Sequence, residues 1–294
     1  MTSDDDGNVA MQDEEDEDLE MDKEDVEIRP TDSVILVANT EEDFSNLEVQ
    51  IYDDEKRPLD GSFVAVGTFK PGIEIWDLNV IDVLEPSATL RRHQDAVMAL
   101  DWNSSHRNML ASGSADSTVK VWDITTQKCL YTMAHHSNKV QSVRWNPAET
   151  TVLASASFDR KIVVLDGRQP DAFSKFELSA EVESIAWVPH NPSTIVVSTE
   201  DGVVVGFDVR INGSTPLFRF DAHAGAVSAI SFSAQVPGLM ATAGVDKTVK
   251  IWDLKDNAAV CVTSKEMNVV RSCVVQRVVE GYDNLTIVLN AMKV

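Results

Sequence analysis

The chain has 294 residues, which is enough to bury a large core in one big all-β domain or in two smaller domains. Its composition, with 43% hydrophobic and 25% charged residues, is typical of soluble globular proteins, and no segment approaches the roughly 20 apolar residues that a membrane helix needs. Three cysteines and an acidic start in place of a secretory signal indicate reduced thiols inside the cell. The net charge of −23 disfavours direct contact with nucleic acid, because the phosphate backbone would be repelled.

The N-terminal segment carries more than half of this net charge. Residues 1–27 contain 14 Asp or Glu residues and one Lys, a net −13, whereas the other 267 residues carry 34 acidic and 24 basic side chains, a net −10. Such a segment cannot bury enough apolar surface to fold, so we predict a disordered acidic tail over 1–27 and a folded domain over 28–294. The tail either only improves solubility or attracts basic partners such as histones or ribosomal proteins.

Internal repetition determines the predicted fold. Five segments share an apolar run, a turn rich in Gly, Ser and Asp, and an alternating run that ends in Asp, as in Leu110–Asp123 (LASGSADSTVKVWD). Each predicts a hairpin of two half-buried strands. The final aspartates are Asp77, Asp123, Asp166, Asp208 and Asp253, which lie 46, 43, 42 and 45 residues apart. This period matches one four-stranded blade of a β-propeller, so the chain is predicted to be all-β.

Three of the units share a second pattern around the turn aspartate. A histidine stands 23 residues before this Asp, a hydroxyl residue stands four residues before it, and a large apolar residue follows it by six. The members are His93, Ser112, Asp116 and Trp122; His136, Ser155, Asp159 and Leu165; and His223, Thr242, Asp246 and Trp252. The unit around Asp201 has Leu178 in place of the histidine and Val197 in place of the hydroxyl, so the two polar groups are present together or absent together.

A buried hydrogen-bonded network explains this pattern. A neutral imidazole accepts one hydrogen bond and donates another, so a hydroxyl and an Asp can flank it, and the N–H of a nearby Trp also finds a partner. Ser, His and Asp are the residues of a hydrolase triad as well, but the same trio at one spacing in three units is better explained as a structural network. No zinc motif, phosphate-binding loop or dinucleotide fingerprint occurs. We therefore predict no catalytic residue, no metal and no cofactor.

The segments Leu110–Asp123 and Met240–Asp253 resemble the WD40 repeat family. Over residues 27–253 the chain resembles, within it, the periodic tryptophan protein 1 family. The residues that carry this resemblance are an acidic arm followed by EIRPTD at 27–32, NLEV at 46–49, IEIWDL at 73–78, LEP at 84–86 and HQDAV at 93–97 with Trp102-Asn103. The resemblance implies a WD40 β-propeller that is a non-enzymatic scaffold of the nucleus, largely the nucleolus, with the cytoplasm as a further location. It also implies a role in ribosomal RNA transcription and processing and ribosome biogenesis, and an association with chromatin.

The pattern departs from a regular ring of blades in two places. Val34–Ala38 and Leu47–Asp53 are predicted as the middle strands of an incomplete early blade, whose end lies only 24 residues before Asp77. Asn268–Val275 and Leu285–Ala291 are predicted as the first two strands of a truncated last blade. Counting the endings at 53, 77, 123, 166, 208 and 253 together with this last unit predicts a seven-bladed plan. A ring that does not close exposes sheet edges, so we expect either reduced stability or a partner strand that completes it.

Partner contacts of WD40 proteins usually lie on the face that carries the histidine loops and the Asp turns. Residues just before a turn Asp or just before an inner strand would be displayed there, which selects Lys139, Phe158, Glu181 and Glu200 as candidate partner-binding residues. Phe158 is the best single candidate, since an aromatic residue in a turn is a typical interface anchor, although it could equally pack against a neighbouring loop. We expect a monomer within larger complexes that contacts proteins, contacts nucleic acid only indirectly and does not contact membranes.

Two blade ends suggest an alternative function. Substrate receptors of cullin-4-type ubiquitin ligases carry Trp-Asp-x-Arg at a blade end, and this chain has LDGR at 165–168 and FDVR at 207–210, both without the Trp. A surface salt bridge also explains an Arg at this position. Ser3 and Thr40 precede acidic residues, as acid-directed kinases favour, and a phosphate at either would add roughly −1.5 to −2 charges.

Overall fold

The computed structural model describes residues 33–41, 44–52, 63–77, 85–168, 172–211, 215–255, 257–266, 274–276 and 284–288, with side chains described between residues 63 and 266. All regular structure in these residues is β-strand. The first strands are β1 (Ser33–Glu41), β2 (Phe44–Tyr52), β3 (Phe63–Gly67), β4 (Gly72–Asp77), β5 (Ala88–Arg91), β6 (Val97–Trp102), β7 (Met109–Ser114), β8 (Val119–Asp123), β9 (Lys128–Met133), β10 (Val140–Trp145), β11 (Val152–Ser157) and β12 (Lys161–Asp166). The others are β13 (Phe173–Glu177), β14 (Val182–Val188), β15 (Asn191–Thr199), β16 (Val203–Asp208), β17 (Phe218–Asp221), β18 (Val227–Phe232), β19 (Leu239–Gly244), β20 (Thr248–Lys255), β21 (Ala258–Glu266), β22 (Val274–Gln276) and β23 (Asn284–Val288).

The strands form a hairpin and five larger sheets. Sheet 1 has the order β22-β23-β3-β4-β5, sheet 2 is β6-β7-β8-β9, sheet 3 is β10-β11-β12-β13, sheet 4 is β14-β15-β16-β17 and sheet 5 is β18-β19-β20-β21, while β1 and β2 pair with each other. In sheets 2 to 5 each strand pairs antiparallel with the next strand of the chain. This repeated four-stranded unit is the blade of a β-propeller, which confirms the predicted fold class. The seven-bladed plan stays a prediction.

The hydrophobic core lies between neighbouring sheets. The first strands of sheets 2 to 5, which are β6, β10, β14 and β18, contact one another in succession. Strand alternation then gives each sheet two apolar faces, one for each neighbour. Between sheets 3 and 4, for example, Ile162 and Val164 pack in one cluster with Ile185 and Phe207. This stacking holds the turns of successive sheets on a common face.

Sheet 1 receives its inner strands from the C-terminal part of the chain. β23 pairs with β3 in parallel, from Asn284 opposite Phe63 to Val288 opposite Gly67, and β23 also contacts β6. β22 pairs with β23 antiparallel. The described parts of the two strands that we predicted as a separate last blade are therefore part of sheet 1, and residues 268–273 and 289–291 of that prediction lie outside the described residues. Sequence reasoning missed this because the pairing joins segments more than 200 residues apart.

The structure describes the early hairpin but not the acidic tail. β1 and β2 pair antiparallel from Ser33 opposite Tyr52 to Glu41 opposite Phe44, at the place of the predicted incomplete early blade. Residues 1–27, including Ser3, lie outside the described residues, so the acidic tail and the boundary at residue 28 stay predictions.

Within the part of the chain that the structure describes, no helix has the length and hydropathy to cross a membrane.

Candidate functional site: histidine networks and the upper face

The network in sheet 2 connects four side chains. His93 precedes β6, Ser112 lies in β7, Asp116 lies in the β7–β8 turn and Trp122 lies in β8. Trp122 Nε1 donates to Ser112 Oγ over 2.8 Å, and Ser112 Oγ lies 2.7 Å from His93 Nε2. His93 Nδ1 lies 2.9 Å from Asp116 Oδ2. Because a carboxylate can only accept, Nδ1 carries the proton and donates to Asp116, and Nε2 accepts from Ser112.

Sheets 3 and 5 have corresponding networks. His136 Nε2 lies 2.9 Å from Ser155 Oγ, and its Nδ1 lies 3.2 Å from Asp159 Oδ2. In sheet 5 the corresponding distances from His223 are 2.8 Å to Thr242 Oγ1 and 3.0 Å to Asp246 Oδ1, and Trp252 Nε1 donates to Thr242 over 2.8 Å. Sheet 3 has Leu165 at the position of the Trp, so its network has one member fewer.

Sheet 4 replaces the network with apolar packing. Leu178 takes the place of the histidine and packs against the cluster that contains buried Val197. A valine needs no hydrogen bond, so no polar group is stranded when the imidazole is missing. The turn aspartate of this sheet, Asp201, accepts from Thr199 Oγ1 instead.

Burial sets the protonation of the three histidines. Desolvation lowers the pKa of His93, His136 and His223 below the usual 6.5, and the partner aspartates offset this effect only in part. Although burial alone would raise the pKa of Asp116, hydrogen bonds from Thr118, the Gln94 N–H and His93 hold it at about 2. Each network therefore contains a neutral imidazole next to a charged carboxylate.

Acid should weaken the fold through these histidines. Since their pKa is lowered in the folded state, the unfolded chain takes up more protons below pH 6.5, and the stabilisation that is present above this pH is lost as the pH falls. Each group can change the free energy of unfolding by at most about 1.4 kcal/mol per pH unit. The variant His136→Leu/Ser155→Val has one such group fewer, so its stability should fall less steeply than that of the wild type between pH 6.5 and 5. Urea unfolding at several pH values measures both slopes, and equal slopes would contradict this assignment.

The geometry of these networks is poorly suited to catalysis. The order of contacts, from hydroxyl to Nε2 and from Nδ1 to carboxylate, is that of a hydrolase triad. However, the hydroxyl residues Ser112, Ser155 and Thr242 are only 0%, 3% and 1% exposed, so a substrate cannot reach them. Two of the three hydroxyls also accept a Trp N–H. Among the described residues, no group of His, Cys, Asp and Glu could hold a metal ion.

Sequence reasoning missed a set of hydrogen bonds between sheets. Trp145 Nε1 donates to the Asp101 carbonyl of sheet 2 over 3.2 Å, and Trp187 Nε1 donates to the Arg144 carbonyl of sheet 3 over 3.1 Å. The side-chain amide of Asn103 donates to the Thr150 carbonyl in the β10–β11 loop of sheet 3 over 2.6 Å. Asn146 makes the equivalent contact with the Pro192 carbonyl of sheet 4 over 2.7 Å. The repeated Trp-Asn dipeptide at 102–103 and 145–146 is the signal that could have identified them.

The candidate partner-binding residues lie on one face, which we call the upper face and define by the turns at Asp116, Asp159, Asp201 and Asp246. There the N–H of Phe158 donates to the Lys139 carbonyl over 3.0 Å, and the N–H of Glu200 donates to the Glu181 carbonyl over 3.0 Å. The four residues therefore form two equivalent pairs in neighbouring sheets. Lys139 and Glu200 are exposed, whereas Phe158 and Glu181 are half-buried. Phe158 is thus less exposed than a free interface anchor would be.

A third carboxylate joins the glutamate pair. Glu183 lies in β14, two residues after Glu181, and burial together with the charges of Glu200 and Glu181 raises its pKa to about 7. Like charges repel, so a free proton or a cationic group would stabilise this cluster. The alternation of residues along β14 did not single out Glu183, because its raised pKa comes from burial and from the charges of Glu200 and Glu181.

The two blade-end arginines form local ion pairs. Arg168 Nη2 lies 2.5 Å from Asp166 Oδ2, and Arg210 Nη2 lies 2.6 Å from Asp208 Oδ2. Both guanidinium groups are exposed, so a surface salt bridge accounts for the Asp-x-Arg pattern. Exposed pairs of this kind contribute little to stability. Thr40 lies in β1, and its proposed phosphorylation stays a prediction.

Comparison with known proteins identifies the repeats. The family model "WD domain, G-beta repeat" matches residues 84–123, 127–166 and 214–253. A WD repeat-containing protein of Schizosaccharomyces pombe is 38% identical over 310 residues, covering 90% of this chain and 60% of that protein. The periodic tryptophan protein 1 homolog of Drosophila melanogaster is 27% identical over 87% of this chain and 65% of its own length. Periodic tryptophan protein 1 of Saccharomyces cerevisiae is 27% identical over 80% of this chain and 56% of its own length.

The chain spans about three fifths of the length of these curated relatives, covering 60%, 65% and 56% of them. Each matched repeat contains the last strand of one sheet, the first three strands of the next sheet and one histidine network. The chain therefore contains WD40 repeats and is related over most of its length to periodic tryptophan protein 1.

Proposed function

We propose that this chain is a non-enzymatic scaffold whose upper face binds a basic segment of a protein partner. The observation that carries this proposal is the cluster of Glu181, Glu183 and Glu200 in sheet 4. Phe158 belongs to the neighbouring sheet 3. The buried hydroxyls of the three networks support a structural rather than a catalytic use of the His, Ser and Asp residues.

A lysine or arginine side chain would complement this cluster. Glu183 has a pKa of about 7, so near neutral pH both its protonated and its charged form are populated, and a cation that binds beside it favours the charged form. The half-buried ring of Phe158 offers an apolar contact next to the charged one. Lys139 would repel a basic ligand and therefore marks the edge of the acidic region.

The cellular part of the proposal comes from the relationship to periodic tryptophan protein 1. We propose a nuclear, largely nucleolar protein that supports ribosomal RNA production and ribosome assembly and associates with chromatin. Histones and ribosomal proteins are basic, so they suit both the glutamate cluster and the acidic segment 1–27. This segment would bring such partners close, and the upper face would select among them.

Binding of a basic peptide tests the site. A fluorescent peptide rich in Arg and Lys is expected to bind more tightly as the pH rises from 6 to 8, because Glu183 loses its proton over this range. Glu200→Gln should weaken binding about two- to fivefold at low salt, as expected for one exposed charge pair. Glu183→Gln should weaken binding at pH 8 and flatten the pH dependence. Fluorescence anisotropy measures all of these affinities.

Glu149→Gln is the matched control, since Glu149 is an exposed glutamate in the β10–β11 loop, away from the turn aspartates. It should bind the peptide like the wild type. If Glu200→Gln and Glu149→Gln behave alike, the attraction comes from the overall negative charge, and the proposed site is wrong.

A further inference from the structure

One face of sheet 5 is less covered than the equivalent faces of the other sheets. In sheet 2 the face toward sheet 3 contains Ala111, Val119 and Val121, which are 0%, 2% and 3% exposed. The equivalent residues of sheet 5 are Ala241, Val249 and Ile251, and all three are only half-buried. We call these three residues the open face of sheet 5. They are apolar, so a covering sheet would stabilise them as it does in sheet 2.

The connection to sheet 1 limits the space beside this face. β21 ends at Glu266, and β22, which belongs to sheet 1, begins at Val274. Eight residue steps can span at most about 28 Å. Packed sheets lie about 10 Å apart, so an interval of this size holds one additional sheet and little more. Sheets 5 and 1 are therefore close enough for a single additional sheet to fill the space between them.

The hairpin of β1 and β2 has the composition of such an element. Its register pairs Val34 with Ile51, Leu36 with Val49 and Ala38 with Leu47, which places three apolar pairs on one face. An isolated two-stranded sheet is marginally stable in water, so this face requires a partner. The hairpin precedes β3 of sheet 1 along the chain. In a ring whose sheets follow chain order, an element that precedes sheet 1 lies between sheet 1 and sheet 5.

We propose that the hairpin β1–β2 packs its apolar pairs on the open face of sheet 5 and thereby fills the interval between sheets 5 and 1. The chain then closes its own ring at this point, without a strand from a partner. The inference is independent of the proposed function, because it concerns the side of the propeller wall and not its upper face.

A double-mutant cycle in the full chain tests this contact. Leu36→Ser and Ile251→Ser should each lower the melting temperature by several degrees. Their combination should lower it by less than the sum, because the second change removes a contact that is already lost. Val37→Ser is the matched control, since Val37 pairs with Glu48 on the other face of the hairpin, and its effect should add to that of Ile251→Ser.

Chemical cross-linking provides a second measurement if a variant folds poorly. In a background with Cys129→Ser, Cys261→Ser and Cys273→Ser, the pair Leu36→Cys and Ala241→Cys should give an intramolecular product with a short bismaleimide. The pair Val37→Cys and Ala241→Cys should react far less. Equal reaction of both pairs, or a product only between two copies, would overturn the proposal, as would full additivity of Leu36→Ser with Ile251→Ser.

Discussion

The double variant His136→Leu/Ser155→Val is expected to be markedly more stable than the sum of its single changes allows. His136→Leu alone leaves Ser155 Oγ buried without its imidazole partner, and Ser155→Val alone strands His136 Nε2. Each single change should cost about 1–3 kcal/mol of unfolding free energy, which is the usual penalty for an unpaired buried polar group. The double variant copies the Leu178 and Val197 pair of sheet 4, and its cost should fall short of the sum by at least about 1 kcal/mol. Urea unfolding measures all three.

Sheet 2 supplies the matched control. In His93→Leu/Ser112→Val the indole N–H of Trp122 loses its acceptor, whereas sheet 3 has Leu165 at this position and loses nothing. The rescue in sheet 2 should therefore be smaller. Strictly additive costs in sheet 3 would show that His136 and Ser155 stabilise the fold separately, contrary to a shared network.

Replacing Gly202 by Ala is expected to cost more than 4 kcal/mol, roughly the upper end of the effects that single substitutions have. Gly202 follows the turn aspartate Asp201 with a φ of 86°, and a Cβ built on it would lie 2.1 Å from the carbonyl oxygen of His223. Backbone must move to relieve this overlap. The same carbonyl belongs to the loop that holds the sheet 5 histidine, so the network around His223 should be disturbed as well. Thermal unfolding followed by circular dichroism should show a loss of more than ten degrees or no folded protein.

The equivalent turns in sheets 2, 3 and 5 separate the two contributions to this loss of stability, the positive φ and the close approach of the His223 carbonyl. Ser117, Arg160 and Lys247 occupy the equivalent position with φ values of 66°, 63° and 62°. A positive φ is therefore tolerated there by side chains other than Gly, and Arg160→Ala should cost less than about 1 kcal/mol. If Gly202→Ala were as mild as Arg160→Ala, the close approach of the His223 carbonyl would not be the constraint on this glycine.

Local spacing made much of this molecule predictable. The hairpins β7–β8 and β19–β20 follow from alternating residues and a turn of fixed length, both of which are properties of a short segment. The histidine, hydroxyl and aspartate residues could be grouped before the structure, because three copies in one chain show the same spacing. In the structure these groups lie within hydrogen-bond distance of each other.

Features that depend on contacts between distant segments of the chain were not predictable. The indole of Trp145 reaches the carbonyl of Asp101 only because two inner strands stack, and nothing in either segment specifies the other. The pKa of Glu183 is raised by burial and by the charges of Glu200 and Glu181, and the proximity of Glu200, 17 residues later in the chain, is not apparent from the sequence. The parallel pairing of β23 with β3 differs from the antiparallel pairing of all other described strand pairs, and such long-range pairing leaves no local signature.

Affinity purification from nuclease-treated nuclear extract tests the central claim, that the protein is a scaffold for basic protein partners. Wild-type protein, a variant lacking residues 1–27 and the upper-face variant Phe158→Ala/Glu200→Gln are compared, each with its melting temperature measured first. The expected result is that ribosomal proteins or histones remain bound to the wild type after nuclease treatment and are depleted from the upper-face variant at unchanged stability. Recovery that disappears with nuclease, or that is equal for the wild type and the upper-face variant, would contradict the claim.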